Sequence, residues 1–303
     1  MSLTFIFFNT IISGLITLLS IPYIRQTAIK NGLIEKPKKD KRKLQKKPMV
    51  RLGGISMVVG FTFTYIVNLI YGNSFLNNQI TLIIFICSIL IYLIGAIDDI
   101  FQIPPLPRLF FQILITSCAW QNGLRLNLIN ESILNNIYIN NEILIFLNFV
   151  ITVIWITGLT NAFNWLDGLD GLAAGICCLS AIGLFAISLS TQSLGTAHLS
   201  AIIIGICVGF LHYNFNPAKI YMGDGGSNFL GFLIASTSIL QNSGSMAKFG
   251  LLPAFVLFSL PILDMCLVIC GRILRGKSPF KPDNRHLHHK LLRMGLSHRN
   301  TVI

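Results

Sequence analysis

Nine stretches of mostly apolar residues, each near the length that crosses a bilayer, divide this chain and constrain its fold more than any other feature: 3–24, 53–71, 80–97, 109–123, 143–160, 172–190, 198–215, 227–241 and 249–271. About 20 such residues, rising 1.5 Å each, cross roughly 30 Å of hydrocarbon. Composition agrees, with 53% hydrophobic and 11% charged residues against about 25% charged in a soluble domain. Backbone in lipid has to satisfy its own hydrogen bonds, and the alternating ten-residue segments of a membrane barrel do not occur, so the runs predict helices. The expected fold is all-α, a polytopic membrane bundle of about nine helices, read as one domain over 1–303 with no internal repeat. The first run lacks a basic leader and a small-residue cleavage site, and reads as a retained helix.

Charge sets the expected orientation. With the N-terminus outside, the inside connections are 25–52, 98–108, 161–171, 216–226 and 272–303, and they hold 21 of the 23 Lys and Arg; Arg125 and Lys248 lie outside. That asymmetry follows the positive-inside rule. The run from Lys36 to Lys47 carries much of the net charge of +12 and reads as a topology anchor touching anionic lipid, not as a nucleic-acid site. Arg51 precedes Gly53-Gly54, a pair that would let backbone approach an anion closely. The Asn-rich stretch 124–142 alternates apolar and polar residues and predicts a small outer hairpin. All seven cysteines fall inside apolar runs without metal-ligand spacing and read as packing residues.

Only eleven Asp and Glu occur, and five of them gather at inside ends. Asp98-Asp99 closes the third run, Asp167 and Asp170 open the sixth, and Asp224 lies between the seventh and eighth. One acid at a helix boundary ordinarily caps it. Several converging on one membrane face are costly unless hydrated or paired, which points to function. With the amides of Asn161 and Asn164 they form a hard oxygen set suited to Mg²⁺ or Mn²⁺. The row Asn161-x-x-Asn164-x-x-Asp167-Gly-x-Asp170-Gly171 would drift around a straight helix, so Gly168 and Gly171 are expected to break it and wrap the row around one site. Tyr221-Met-Gly-Asp224-Gly-Gly-Ser227 should leave backbone N–H groups open at a helix start as an anion seat. Tyr221 itself could stack on a base or mark the interface. The last loop, Asp283-Asn-Arg285-His286-Leu-His288-His289-Lys290, lacks Cys and reads as a cationic grip on a diphosphate more than as a zinc site. His198, His212 and His298 have no comparable context.

These elements, in this order, resemble the polyprenyl-phosphate N-acetylhexosamine-1-phosphate transferases over nearly the whole chain: Asp98-Asp99, the Asn/Asp row, Met-Gly-Asp-Gly-Gly-Ser, and Asp283-x-x-His-Leu-His-His followed by Gly295-Leu-Ser-His-Arg299. The His-Leu-His-His form is most similar to the undecaprenyl-phosphate GlcNAc-1-phosphate transferase branch. The resemblance implies a UDP-N-acetylhexosamine donor, most often UDP-N-acetylglucosamine, undecaprenyl phosphate as acceptor, UMP as leaving group and a bacterial cytoplasmic membrane with the site facing the cytoplasm. It also implies catalytic Asp98 and Asp99, Mg²⁺ held near Asn164, Asp167 and Asp224, and a uracil site near Asp170 and Tyr221. Arg51, Arg108, Asn161, Arg285, His286, His288 and His289 would contact substrate, with Lys47 beside the phosphates.

The acceptor phosphate oxygen would attack the β-phosphorus, so charge neutralisation and in-line positioning dominate. An acid of the pair could deprotonate the acceptor or attack first; deprotonation is favoured, since a phosphate is mostly ionised near neutral pH. The family also implies one or two further helices beyond Ile303. A phospho-MurNAc-pentapeptide transferase-like activity is the nearest alternative. A transporter would place ionisable groups nearer mid-bilayer, and a lipid-binding scaffold would explain the basic loop but not the focused acids. A homodimer is compatible with this reading, and no nucleic acid is expected as a partner.

Overall fold

A computed structural model describes residues 3–35, 48–71, 75–76, 78–126, 140–242, 252–278 and 286–302. Within them lie the helices α1 (Leu3–Lys30), α2 (Gly54–Ile70), α3 (Gln79–Phe101), α4 (Pro105–Gln121), α5 (Asn141–Leu166), α6 (Leu172–Ser190), α7 (Leu194–Asn214), α8 (Gly223–Asn242), α9 (Leu252–Leu257), α10 (Ser259–Ile273), α11 (Leu287–Arg293) and α12 (His298–Val302). No β-strand occurs among the described residues; a single antiparallel bridge joins Glu35 and Met49. Helices α1, α3, α5, α6 and α7 are long and apolar enough to cross a bilayer, and α2, α4, α8 and the α9–α10 pair complete the bundle. The polybasic run, Lys248, Asp283, Arg285 and most of the expected hairpin at 124–142 lie outside the described residues.

Without a hydrophobic drive between helices in lipid, close packing comes from small residues. The α1–α7 crossing shows it: Gly14 backs onto Gly205 and Gly209, and Ser13 Oγ donates to the Ile202 carbonyl at 3.2 Å. Helix α8 is the axle. Every residue from Gly225 to Ile239 is buried, and α2, α3, α5, α6 and α7 all pack on it. A helix enclosed on all sides brings its N-terminus to the middle of one end of the bundle, so Asp224 lies where the neighbouring helices converge.

One expectation is corrected and one holds. The run 249–271 is interrupted at Phe258, where α9 gives way to α10. Pro261 has no N–H for the Leu257 carbonyl four residues back, and Ser180 Oγ on α6 donates to that carbonyl instead, at 3.2 Å. The Asn/Asp row is broken where its glycines fall, as expected: α5 ends at Leu166, so Asn161 and Asn164 stand on helix, and Asp167, Gly168 and Asp170 lie in the turn that leads to Gly171. Gly171 then enters α6 with φ +82°.

Candidate active site

The site starts from a backbone clasp. Gly53 N donates to Tyr221 O, Gly54 N to Met222 O and Tyr221 N to Val50 O, each at 2.9 Å. This ties residues 50–54 to the start of α8. A Cβ on Gly54 would come within 2.6 Å of the Gly226 Cα. The close approach expected of Gly53-Gly54 is therefore to protein backbone and not to an anion.

Asp99 fills the seat the glycine-rich start of α8 was expected to leave open. Its Oδ1 accepts from Asp224 N at 3.0 Å and its Oδ2 from Gly225 N at 3.1 Å. A carboxylate here satisfies orphan donors and complements the helix dipole. Gly223 makes the geometry possible: it sits at φ +74°, and a Cβ there would collide with the Arg51 carbonyl and the Asp99 carboxylate.

Asp98 faces the other way. Its Oδ1 accepts from Ile103 N at 2.7 Å and its Oδ2 from Arg108 Nη1 at 2.5 Å. Each of the four oxygens of the acidic pair thus already accepts a hydrogen bond, and both side chains are 7% exposed. Asp224 is more accessible than either, at 29%. It lies 3.7 Å from Arg51 Nη2 and 4.0 Å from Arg108 Nη1, and its Oδ1 accepts from Asn164 Nδ2 at 3.1 Å. Asn164 Nδ2 also donates to Ser227 Oγ at 2.9 Å, so its donors are engaged and its Oδ1 remains as acceptor.

Arg51 bridges Glu35 (3.3 Å), Asp99 (3.8 Å) and Asp224 (3.7 Å). Burial opposes its charge, but Asp224, Asp99, Glu35 and Asp167 together hold the guanidinium above its ordinary value. Burial pushes the Asp167 carboxyl well above the ordinary carboxylate range; Arg51 opposes this, and Asp224, Asp99 and Asp170 add to it. Burial likewise moves the Tyr221 phenol up to about 12, helped by Asp170 and Asp167, so Tyr221 is a donor at neutral pH. Asp170 anchors the α7–α8 connection, its Oδ2 accepting from Asn216 Nδ2 and Ala218 N at 3.0 Å each.

One turn beyond Arg108 along α4, Gln112 Oε1 accepts from Asn161 Nδ2 at 2.7 Å and Gln112 Nε2 reaches Asn228 Oδ1 at 3.4 Å. Asn161 also donates to Thr157 O at 2.8 Å, which leaves its Oδ1 as an acceptor. The histidines form a separate group against the end of α5. His286 meets the Trp165 ring edge-on at 5.7 Å, His288 stacks on His286 at 5.6 Å, and His289 lies 4.3 Å from His288. His288 Nε2 lies against Gly168, 2.6 Å from where a Cβ would be. No hydrogen bond joins these rings to Asp224 among the described residues.

Sequence reasoning missed three participants. Asp264 accepts from His286 Nδ1 at 2.8 Å and Leu287 N at 2.6 Å. Gln112 orients Asn161. His298, read as bland, has its Nδ1 3.0 Å from Asn216 Nδ2 and so touches the Asp170 group. The ionisable character of Asp264 within an apolar run was the one available signal.

Carboxylates outnumber guanidiniums here, and Asp167 is repelled by its acidic neighbours, an imbalance a divalent cation would offset. Among the described residues no three acidic, His or Cys side chains stand at metal-ligating spacing. Any ion held here would have to complete its shell with water and substrate oxygens, as Mg²⁺ commonly does, because the described residues form no closed protein cage.

A multi-pass helical membrane protein with an anionic cluster crossed by two guanidiniums at one end of the bundle is the class that fold and site define. The family model of glycosyl transferase family 4 matches residues 81–242. A probable undecaprenyl-phosphate N-acetylglucosaminyl 1-phosphate transferase of Bacillus subtilis is 34% identical over 97% of this chain and 79% of its own length. A decaprenyl-phosphate N-acetylglucosaminephosphotransferase of Mycobacterium tuberculosis is 31% identical, over 96% and 76%. An undecaprenyl-phosphate alpha-N-acetylglucosaminyl 1-phosphate transferase of Yersinia pestis is 30% identical, over 92% and 74%. The chain belongs to glycosyl transferase family 4 and is a transferase.

Proposed function

We propose that this chain transfers N-acetylglucosamine 1-phosphate from UDP-N-acetylglucosamine to undecaprenyl phosphate, the acceptor named for the Bacillus subtilis and Yersinia pestis relatives, and releases UMP at the cytoplasmic face of the cytoplasmic membrane. The observation that carries the reading is the setting of Asp224, more exposed than Asp98 and Asp99 and flanked by Arg51 and Arg108 at one end of the bundle. The donor and acceptor classes named for the relatives supply the chemistry.

An oxygen of the lipid phosphate attacks the phosphorus that bears the sugar. The bridging P–O bond to the nucleotide breaks, UMP leaves with that electron pair, and a new diphosphate joins lipid and sugar. Both reactants are anions, so the protein's task is to lower repulsion and align them. Arg51 and Arg108 supply fixed positive charge. Asp98 orients Arg108, and Asp99 fastens the turn that carries Asp224, so both act as positioning residues. Their engaged oxygens favour direct attack by an already ionised phosphate over a covalent aspartyl intermediate. Asn164 Oδ1, Asp167 and Asp224 would hold Mg²⁺, which when bound would offset charge on the donor diphosphate.

The test is UMP release from a panel of UDP-sugars by purified protein, with and without undecaprenyl phosphate and a chelator. Acceptor- and metal-dependent release from UDP-N-acetylglucosamine is expected. Release only from the UDP-MurNAc-pentapeptide would move the chain to the other branch. No release from folded protein would refute the reading.

A further inference from the structure

Asp264 is a buried acid that the reaction outlined above does not use. It lies on α10, nine residues before the helix ends at Ile273, about 14 Å back along the axis at 1.5 Å per residue. At that depth, 4% exposed, an unpaired carboxylate would be strongly destabilising. Its partners come from a segment beyond the helix: Oδ2 takes His286 Nδ1 at 2.8 Å and Oδ1 takes the Leu287 N–H at 2.6 Å. The second bond is to backbone and needs a particular chain position. The first is to a ring and needs a particular tautomer.

A carboxylate only accepts, so His286 must carry a proton on Nδ1. Nε2 makes no hydrogen bond among the described residues, and it is the nitrogen that carries the lone pair whenever the ring is neutral. The ring is flanked by Trp165, which meets it edge-on, and by His288, which lies nearly parallel to it, at 12°. Trp165 is in turn covered by the Arg272 guanidinium, 4.9 Å from its centroid, and Arg272 shares α10 with Asp264. One helix therefore supplies both the acceptor that selects the tautomer and the cation that holds the aromatic wall. A carboxylate behind an imidazole whose other nitrogen faces substrate is a recurrent way of setting ring orientation and basicity.

We propose that Asp264 is a positioning residue of the transfer reaction, fixing His286 with Nδ1 protonated so that Nε2 is presented to the bound nucleotide sugar. The role rests on the transferase reading for its catalytic consequence, while the tautomer is a property of the protein alone.

Asp264→Asn separates the two functions of the side chain. The carboxamide oxygen can keep the Leu287 N–H, and the amide N–H then faces His286 Nδ1 and drives the ring proton to Nε2. Shape is retained and the tautomer reversed. In histidine-labelled protein in detergent micelles, nitrogen NMR should show the protonated nitrogen of His286 at Nδ1 in wild type and at Nε2 in Asp264→Asn, with cooperative thermal unfolding retained. The variant's kcat/KM for UDP-N-acetylglucosamine should fall about tenfold or more, the usual scale for losing such a partner. In a His286→Gln background, Asp264→Asn should cause no further loss. An unchanged nitrogen spectrum, wild-type turnover, additive losses in the double variant, or loss of the unfolding transition would each overturn the proposal. If wild-type protein releases no UMP, the transferase reading fails and the nitrogen spectrum alone decides the role of Asp264.

Discussion

Asp99 and Asp224 are the same residue type less than a helix turn apart in space, yet their surroundings give them opposite work. Asp99 is buried with both oxygens on backbone donors of α8, whereas Asp224 is partly exposed, at 29%, and repels Asp99, Asp98 and Asp167. Asp224→Asn should therefore lower kcat on the order of a hundred- to a thousand-fold, the scale of removing one group that stabilises transferring charge. It should leave the melting temperature in detergent unchanged or raised, because repulsion is relieved. A parallel fall in melting temperature would show Asp224 to be structural. His288 gives a pH signature. It is 4% exposed with neither ring nitrogen hydrogen-bonded among the described residues. Burial, aided by His289, His286 and His298 and opposed by Asp264, pulls its pKa from 6.5 down to about 3. The docked ring stays neutral while the undocked ring takes a proton below 6.5, so docking of 286–302 is fully stable above pH 6.5. It then weakens as pH falls toward 3, by at most about 1.4 kcal/mol per unit for one proton. Hydrogen exchange of that segment between pH 7 and 5 should show the loss, and His288→Gln should flatten it; an equally steep profile in the variant would assign the effect elsewhere.

Among elements, the interrupted α9–α10 pair shows how one residue's missing donor is met by a neighbouring helix. Pro261 leaves the Leu257 carbonyl without an in-helix partner, and Ser180 supplies it. Ser180→Ala should destabilise the protein by about 1 kcal/mol, the usual net worth of such a bond. In a Pro261→Ala background, where the backbone can supply the donor, the same change should cost much less. Equal losses in both backgrounds, measured by thermal unfolding in one detergent, would refute the coupling. The apolar runs were legible because the length that crosses lipid is written locally, but 249–271 was read as one helix, because the break before Pro261 depends on where Ser180 falls in space. The acids of the site were legible for the same local reason: each stands at the edge of a run. Their hydrogen-bond partners were not. Nothing near Asp99 in sequence says that it caps α8, 125 residues away, and nothing near Asp264 says that a segment beyond α10 returns to it. The glycine-rich start of α8 was misread as an open anion seat because the pattern is the same whether a ligand or a side chain occupies it.

For the molecule as a whole, the site and the cations mark the same end of the bundle. Arg51 and Arg108 are engaged at the acidic cluster, while Lys219 and Arg25 meet nearby, Arg25 Nε donating to the Lys219 carbonyl at 3.1 Å. Arg125 sits at the opposite end, after α4, stacked over Trp120 at 4.5 Å, the kind of aromatic that favours a membrane interface. If the cation-rich end faces the cytoplasm, the nucleotide sugar reaches Asp224 without crossing lipid, and the lipid product forms on the leaflet where its donor is made. Orientation can be read by labelling. With the exposed Cys118, Cys266 and Cys270 replaced by Ser, Arg125→Cys should react with a membrane-impermeant maleimide in intact spheroplasts, and Lys219→Cys only after permeabilisation. The reverse pattern would put the acidic cluster on the outer face, where no nucleotide sugar is supplied, and would remove the physical basis for the proposed donor even if the helices and the site geometry stand.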